Sequence, residues 1–255
     1  MTDRRVFVSA DDWSSESIVV RGEQAHHLRN VLRARPGDSF EFIDGQGRWA
    51  RATLKGISTR GELTCRIEEQ SRTLSPGEDR VVLLQALVRF EKFEWILEKA
   101  AELGVNRIVP VVAAHTELKW RDVTNARQVR WEKILIESIK QCRRLYLPVL
   151  DPPLPFAQAV SKTRGGCKLL LSEKPGTPLL KSALKSFLET CRHSSGDVSY
   201  GGFTLAIGPE GGWADEEIGS AGRSGFQAVS LGEGILRAET ATVAALAILH
   251  YETGN

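Results

Sequence analysis

The pattern of strands and helices changes near residue 72, and this change constrains the fold more than any other feature. Before it, short β-rich runs alternate with turn signals. After the polar, turn-rich segment SRTLSPGED, buried strands alternate with longer helical patterns. Closely spaced short strands favour a small barrel or sandwich, whereas strands that alternate with helices are typical of parallel βαβ units. We therefore predict a small β-barrel domain over 1–72 and an α/β domain over 73–255.

The first domain contains the β-rich runs RVFVS, SIVVRG, DSFEFIDGQGRWARATLKGI and GELTCRIEE. The DGQG sequence at 44–47 joins two alternating runs and predicts a hairpin turn. One helix is predicted from Glu23 to Arg33. The arginines Arg29, Arg33 and Arg35 are candidates for contact with a polyanion. A solvated basic surface is the commoner reason for such a pattern.

The second domain is predicted to contain the strands VVLLQAL, RIVPVV, CKLLLSE, FTLAIG and AVSLG. Between them we predict the amphipathic helix EKFEWILEKAAEL, closed by Gly104, and helices over 124–144, 178–192, 214–223 and 239–251. This order of elements predicts a parallel sheet.

Composition excludes several protein classes. With 42% hydrophobic and 26% charged residues, the chain is typical of globular proteins and not of disordered ones. No apolar run approaches the roughly 18 residues needed to span a membrane, and MTDRRVFVSA lacks the apolar core of a signal peptide. The four cysteines lack CxxC spacing and nearby histidines, so we expect neither a metal site nor disulfides. We expect a cytosolic protein.

Charge is concentrated in one segment. The formal net charge of +2 is too small to indicate nucleic-acid binding by itself, but Lys119 to Arg144 holds eight Lys/Arg against three Asp/Glu. A concentrated basic segment attracts phosphates even when the total charge is near zero.

The segment LAIGPEGGWADEEI is the strongest functional signal, because a buried strand enters a glycine-rich turn and then a helix. Gly208, Gly211 and Gly212 lack a Cβ that would keep a ligand from the backbone amides. Neither the Walker motif nor GxGxxG is present. The acidic run from Asp215 to Glu217 stabilises the helix dipole and repels phosphate. We therefore expect a ligand without phosphate, although ordinary turn chemistry also explains such glycines.

A second signal is VSLGEGILRAETATVAALAIL, which again gives a strand, a glycine-containing loop and a helix. Packing explains the apolar helix. It does not explain why Arg237, Glu239 and Thr240 cluster at the start of that helix, which makes them candidate functional residues.

A third signal is ESIKQCRR, at the end of the basic helix. The spacing of Glu137, Gln141 and Arg144 predicts that they share one helical face. A solvated, salt-bridged face is the alternative interpretation.

The motifs IGPEGGW, LGEGILRAETA, ESIKQCRR and EKAAELGVNRIVPV together resemble the RsmE family of 16S rRNA uridine-N3 methyltransferases, in the SPOUT superfamily. They occur in family order, and the β-rich start lies where that family carries a PUA-like RNA-binding domain. The resemblance implies a SPOUT domain with a trefoil knot, S-adenosylmethionine as cofactor and a homodimer. It also implies 16S rRNA as substrate. Because N3 lies on the pairing edge, the target base must be unpaired or flipped out, so we expect a folded rRNA region or the assembled small ribosomal subunit as substrate and not a short duplex.

The resemblance also implies roles for individual residues. The cofactor contacts are expected at Leu171, Ser172, Glu173, Gly208, Pro209, Gly211, Gly212, Leu231, Gly232, Ile235, Leu236, Thr240 and Ala241. RNA contacts are expected at Arg29, Arg33, Arg89, Gln141 and Arg144. We hypothesise that Arg237 stabilises the anion formed when uridine N3 loses its proton. Glu210 is a candidate acceptor for that proton, or else its carboxylate orders the glycine turn.

Several positions depart from the family pattern. Ala113, Ala114 and His115 stand where a Ser-Glu-Arg triplet is common, and Gly234 stands where arginine is frequent. Ala214 replaces the usual Ser/Thr helix cap, so Asp215 is expected to cap instead.

Three alternatives remain open from the residues. The first is a SPOUT methyltransferase that acts on tRNA or another rRNA site. The second is a non-catalytic RNA-binding or assembly protein with the same fold. The third is a nucleotide-binding protein that holds phosphate with GPEGG. The acidic first turn of the following helix disfavours the third.

Overall fold

The chain divides into two units in the computed structural model, which describes residues 5–74, 80–164, 166–194 and 202–253. The N-terminal unit contains residues 5–74 together with Ile136–Leu147. The C-terminal unit contains residues 80–135 and the described residues from Pro148 onward. The division falls inside the long basic helix Asn125–Cys142.

The N-terminal unit is built on a five-stranded sheet. Its strands are β1 (Arg5–Phe7), β2 (Ser17–Val20), β3 (Ser39–Ile43), β4 (Arg48–Ile57) and β5 (Leu63–Arg72), in the order β1-β3-β4-β5-β2. Only the β1/β3 pair is parallel. Alternate residues such as Phe40 and Phe42 enter the core, as the period of a half-buried strand requires. The predicted hairpin turn at 44–47 is confirmed, because Asp44 accepts hydrogen bonds from the amides of Gln46 and Arg48.

Two predicted helices end earlier than the sequence indicated. The first comprises α1 (Gly22–His26), a π-helical turn (His27–Val31) and a final bond from the Ala34 amide to the Leu28 carbonyl. This bond requires a left-handed residue, which is Arg33 at φ 53°. The basic helix likewise ends at Cys142 before Arg143, at φ 64°. Glycine usually marks this position, so arginine gave no stop signal.

The C-terminal unit is an α/β structure around a parallel sheet, which confirms the predicted fold class. The strands are β6 (Val81–Ala86), β7 (Arg107–Val112), β8 (Val149–Leu150), β9 (Leu154–Pro155), β10 (Cys167–Leu171), β11 (Phe203–Ile207) and β12 (Gln227–Val229). The helices are α2 (Phe90–Glu102), α3 (Asn125–Cys142), α4 (Phe156–Lys162), α5 (Leu180–Ser194), α6 (Asp215–Arg223) and α7 (Ala238–Thr253). Short 3₁₀ turns lie at Ala10–Asp12 and Trp120–Asp122. The sequence analysis did not identify β8, β9 and α4.

The sheet order is β12-β10-β11-β6-β7-β8, with β9 beside β7. Helices cover both faces, which explains why the strands are continuous apolar runs. On one face Val82 and Leu84 of β6 pack in the same cluster as Trp213. On the other, Gln85 accepts a 2.7 Å hydrogen bond from Thr242 of α7.

The neighbouring strands β12, β10 and β11 are parallel, so their carboxyl ends reach the same edge of the sheet. The segments that follow these strands, starting at Ser172, Gly208 and Ser230, therefore meet there. The trefoil knot implied by the resemblance stays a prediction. Among the described residues, no helix has the length and apolar character needed to cross a membrane.

Candidate active site

A cavity of about 560 Å³ lies where strands β10, β11 and β12 end. It is lined by all the expected cofactor contacts except Thr240, and by the two candidate catalytic residues, Glu210 and Arg237. The helix explains the exception, because Ala238 and Ala241 share the face of α7 that meets the cavity and Thr240 does not. Residues far apart in the sequence thus form one site in the C-terminal unit.

The glycines of the loop 208–212 are needed for a different reason from the one we expected. A Cβ on Gly208 would lie 3.1 Å from the Trp213 ring, and one on Gly211 would lie 2.9 Å from the His115 Cβ. Gly212 has a φ of 71°, which L-residues rarely adopt. The positions that Cβ atoms of Gly208 and Gly211 would take are therefore closed off by protein side chains.

Trp213 ties two of the loops together. Its buried indole Nε1–H donates to the carbonyl of Leu171, at the end of β10, over 2.9 Å. Its ring packs on Phe156, with 4.2 Å between ring centroids. The sequence analysis did not assign Trp213 to the site, although it stands within the quoted IGPEGGW motif.

Two side chains hold the outer side of the glycine loop. Glu217 accepts hydrogen bonds from the amides of Ala114, at 2.8 Å, and Ala214, at 3.0 Å. His115 Nδ1 lies 2.9 Å from the carbonyl oxygen of Gly211 and 3.1 Å from that of Gly212. Because carbonyl oxygens only accept, Nδ1 must carry the hydrogen. The segment after β7 thus anchors the loop.

The expectation that Asp215 caps α6 is wrong. Asp215 is the first helical residue and pairs with Lys174, whose hydrogen bond lowers the pKa of this carboxyl below its ordinary value. Glu217 instead bonds to the amide of Ala214, in the position that a capping-box glutamate occupies. Glu217 thus makes the half of a capping box that the third helical residue contributes, and Ala214 has no hydroxyl for the other half.

Opposite charges meet at the cavity around Glu210. Lys92 of α2 donates a hydrogen bond to the Glu210 carboxylate, which lowers the pKa of Glu210. The positive charges of Arg89 and Arg237 lower it further. Glu210 is therefore ionised at neutral pH and is a weaker base than an ordinary glutamate. Lys92 also lies 3.7 Å from Glu239.

The cavity is lined by several residues that the sequence analysis did not assign to it. They are Lys92, Lys174, Ile207, Trp213, Ile218 and Ala238. Most adjoin the quoted motifs and could have been included by extending them. Lys92 is different, because nothing in its helical surroundings distinguishes it from other lysines of amphipathic helices.

The expected RNA contacts fall in both units. Arg29, Arg33 and Gln141 are exposed residues of the N-terminal unit, which also contains Arg144. The prediction that Gln141 and Arg144 share a helical face is wrong, because α3 ends at Cys142. Burial lowers the pKa of Arg144. Arg89 is exposed and directly precedes α2 in the C-terminal unit.

The cavity suits a small ligand that carries charges of both signs. Its volume is within the roughly 300–1,000 Å³ of typical ligand pockets. Glu173 and Glu210 provide negative charge, and Lys92, Lys174 and Arg237 provide positive charge. S-adenosylmethionine, with its sulfonium, ammonium and carboxylate groups, has this character.

Two family models match the chain. The RNA methyltransferase domain matches residues 75–250, and the RNA methyltransferase PUA domain matches residues 20–68. Ribosomal RNA small subunit methyltransferase E of Synechocystis is 34% identical, covering 95% of this chain and 76% of the relative. Its counterpart in Bacillus subtilis is 28% identical, covering 92% and 90%.

Solved structures agree with these matches. A methyltransferase from Legionella pneumophila with bound S-adenosylmethionine has a TM-score of 0.83 at 25% identity, covering 98% of each chain. Ribosomal RNA small subunit methyltransferase E from Neisseria gonorrhoeae, bound to S-adenosylmethionine, has a TM-score of 0.79 at 28% identity, covering 97% of each chain.

Proposed function

The chain belongs to the ribosomal RNA small subunit methyltransferase E family, and from this premise we propose that it transfers a methyl group from S-adenosylmethionine to 16S rRNA. The observation that carries the proposal is the single cavity formed by the loops after β10, β11 and β12. Similar proteins from Legionella and Neisseria hold S-adenosylmethionine. The same activity on tRNA or another rRNA site is the nearest alternative.

The three loops would hold the cofactor in this cavity. The contacts are those expected from the sequence around Leu171, the glycine loop 208–212, and 231–236, with Ala241 of α7. When bound, S-adenosylmethionine supplies an already activated methyl group, so the protein need only orient the nucleophile and remove a proton. This chemistry requires no metal ion.

We propose that the target atom is N3 of a uridine, as in the RsmE family. N3 is part of an imide, and its lone pair becomes available when the N–H ionises. In this proposal Arg237 favours the anion by placing positive charge near the uracil ring. The target base must leave its pairing partner, because N3 lies on the Watson–Crick edge.

Glu210 is better suited to ordering the loop than to accepting the proton. Its ion pair with Lys92 and its lowered pKa reduce its basicity. In the proposed mechanism Glu210 therefore orders the glycine loop through its ion pair with Lys92 and does not accept the proton. The N3 proton leaves to solvent once Arg237 has made it more acidic.

We propose that the protein is a homodimer that acts in the cytosol on the assembled small subunit. Support for a dimer comes from exposed large apolar side chains of the C-terminal unit outside the cavity, among them Leu179 and Tyr251. Sedimentation equilibrium is expected to give twice the 28.2 kDa of one chain. A mass of one chain at micromolar concentration would contradict the dimer.

Methylation of isolated 16S rRNA and of small subunits, both lacking the modification, tests the activity. We expect transfer of labelled methyl from S-adenosylmethionine, and mass spectrometry of the digested RNA is expected to place it on N3 of one uridine. Labelled tRNA, or another rRNA site, would favour the alternative substrate. Cofactor binding without transfer to any RNA would indicate a non-catalytic RNA-binding protein.

Single-turnover rates at saturating cofactor test the residue roles. Arg237→Ala is expected to slow transfer by about 10²–10³, the usual loss when one charge-stabilising donor is removed. Glu210→Gln is expected to have a smaller effect, since the proton does not go to this carboxylate. Arg223→Ala, an exposed arginine at the end of α6, is the matched control. A near wild-type rate for Arg237→Ala would eliminate its role.

A further inference from the structure

Lys92 contacts two carboxylates that belong to different elements of the site. It bonds to Glu210 of the glycine loop and lies 3.7 Å from Glu239 in the first turn of α7. We propose that Lys92 is a positioning residue, which holds the first turn of α7 in place mainly by compensating the charge of Glu239. The inference rests on the proposed function where it concerns methyl transfer.

Burial decides which carboxylate depends more on Lys92. The Glu210 side chain is 45% exposed, whereas that of Glu239 is 16% exposed. Glu239 Oε2 is buried and has no hydrogen-bond partner, and within the described ranges Lys92 is the only cation within 4 Å of Glu239. An exposed ion pair contributes little, but a buried carboxylate that loses its cation is strongly unfavourable. Glu239 therefore depends on Lys92 even though Glu210 is nearer to it.

The position of Glu239 links this charge to the cavity. Arg237 and Ala238 directly precede it, and both line the cavity. If Glu239 loses Lys92, its largely buried carboxylate is left without a compensating charge, and we expect the side chain and the first turn of α7 to shift until the carboxylate is hydrated. That movement displaces Arg237 and the cofactor contacts on α7.

Three variants test the proposal: Lys92→Met, Lys92→Arg and the double variant Lys92→Met/Glu239→Gln. We expect Lys92→Met to weaken S-adenosylmethionine binding in calorimetry at least about tenfold and to lower the resistance to urea. Lys92→Arg keeps the charge and is expected to bind within about threefold of wild type. The double variant is expected to recover most of both losses, because it no longer contains the buried charge.

Lys99→Met is the matched control. Lys99 lies on the same helix, is 27% exposed against 30% for Lys92, and also bonds to two carboxylates, those of Glu98 and Glu102. It does not line the cavity, so wild-type cofactor affinity is expected. Lys92→Met/Glu210→Gln is the second comparison, and it is expected to recover little.

Several outcomes would overturn the inference. They are wild-type cofactor affinity in Lys92→Met, an equal loss in Lys92→Arg, or a double variant with Glu239→Gln that is no better than Lys92→Met. If Lys92→Met does not fold, folding of that double variant supports the proposal and its failure refutes it. If the wild-type protein binds no S-adenosylmethionine, the proposed function fails but the inference about Lys92 does not. Urea denaturation of the same variants still tests whether Glu239 depends on Lys92, because it requires no cofactor.

Discussion

Replacing Gly211 with alanine places a methyl group against a part of the protein that cannot move independently. The new Cβ would lie 2.9 Å from the Cβ of His115, at least roughly 0.6 Å less than the optimal 3.5–4.0 Å between carbon atoms. Both atoms are fixed to the backbone, so no side-chain rotation relieves the overlap. Either the glycine loop or the segment after β7 must shift.

The cost of this shift follows from measured overpacking of well-packed sites, about 1–3 kcal/mol. Because the loop lines the cavity, we expect the cost mainly in cofactor binding, as a Kd for S-adenosylmethionine raised about 5- to 150-fold. Any remainder is expected as a lower free energy of unfolding. Titration calorimetry and urea denaturation measure the two quantities.

A control and a double-mutant cycle make the test specific. Gly222→Ala, in α6, meets nothing within 4 Å, so it is expected to bind the cofactor normally and to be about 0.5–1 kcal/mol more stable. In a His115→Gly background the clashing Cβ is absent, so Gly211→Ala is expected to cost little there. Equal costs of Gly211→Ala in both backgrounds, or wild-type affinity and stability of the single variant, would refute the reasoning.

Three further predictions concern stability. Trp213→Phe removes the donor to the Leu171 carbonyl and is expected to cost about 1–3 kcal/mol of unfolding free energy in urea, so an unchanged midpoint would contradict it. Burial raises the pKa of the Cys65 thiol to about 12, whereas the thiol of the unfolded chain loses its proton above about pH 8.5. The free energy of unfolding should therefore fall by ~1.4 kcal/mol per pH unit between these two values, and Cys65→Ala should abolish this dependence. Burial raises the pKa of Glu94, but hydrogen bonds from Arg130 and a second arginine outweigh it and lower the pKa overall. The resulting stabilisation is present above the unfolded pKa of about 4.3 and is lost as the pH falls through the folded value. Glu94→Gln should therefore cost about 1 kcal/mol of unfolding free energy at pH 7 and flatten the acid limb of the plot of stability against pH.

The alternation of apolar strands and amphipathic helices was sufficient to predict most elements of the fold. Local patterns failed where a residue adopted a conformation unusual for its type. Arg33 and Arg143 end their helices in the left-handed region, where glycine or asparagine is the expected signal. The short strands and helix between residues 149 and 162 were missed, because two-residue strands are too short to show a period.

The loops of the candidate site could be predicted because each follows a strand and contains glycine. The reason for the glycines could not, since it depends on how neighbouring side chains pack in three dimensions. Gly211 lacks a side chain because His115 occupies that space, and Gly208 because Trp213 does. In one sequence without a structure, a glycine that faces a ligand and a glycine that faces a packed side chain look the same.

Charge partners that are distant in the sequence could not be predicted either, as Lys92 shows. It precedes Glu210 by 118 residues, and its helix gives the ordinary amphipathic pattern, so no local rule connects the two. The connection matters because it changes the chemistry expected of Glu210. A glutamate in a glycine loop is a candidate base while it is considered alone, but a glutamate held by Lys92 beside Arg89 and Arg237 stays ionised and accepts a proton poorly. Arg237, one of the positive groups that make Glu210 a weak base, is also the group that we propose favours an anion on a bound uracil. The site is therefore better suited to stabilising the ionised nucleophile than to removing its proton with a carboxylate.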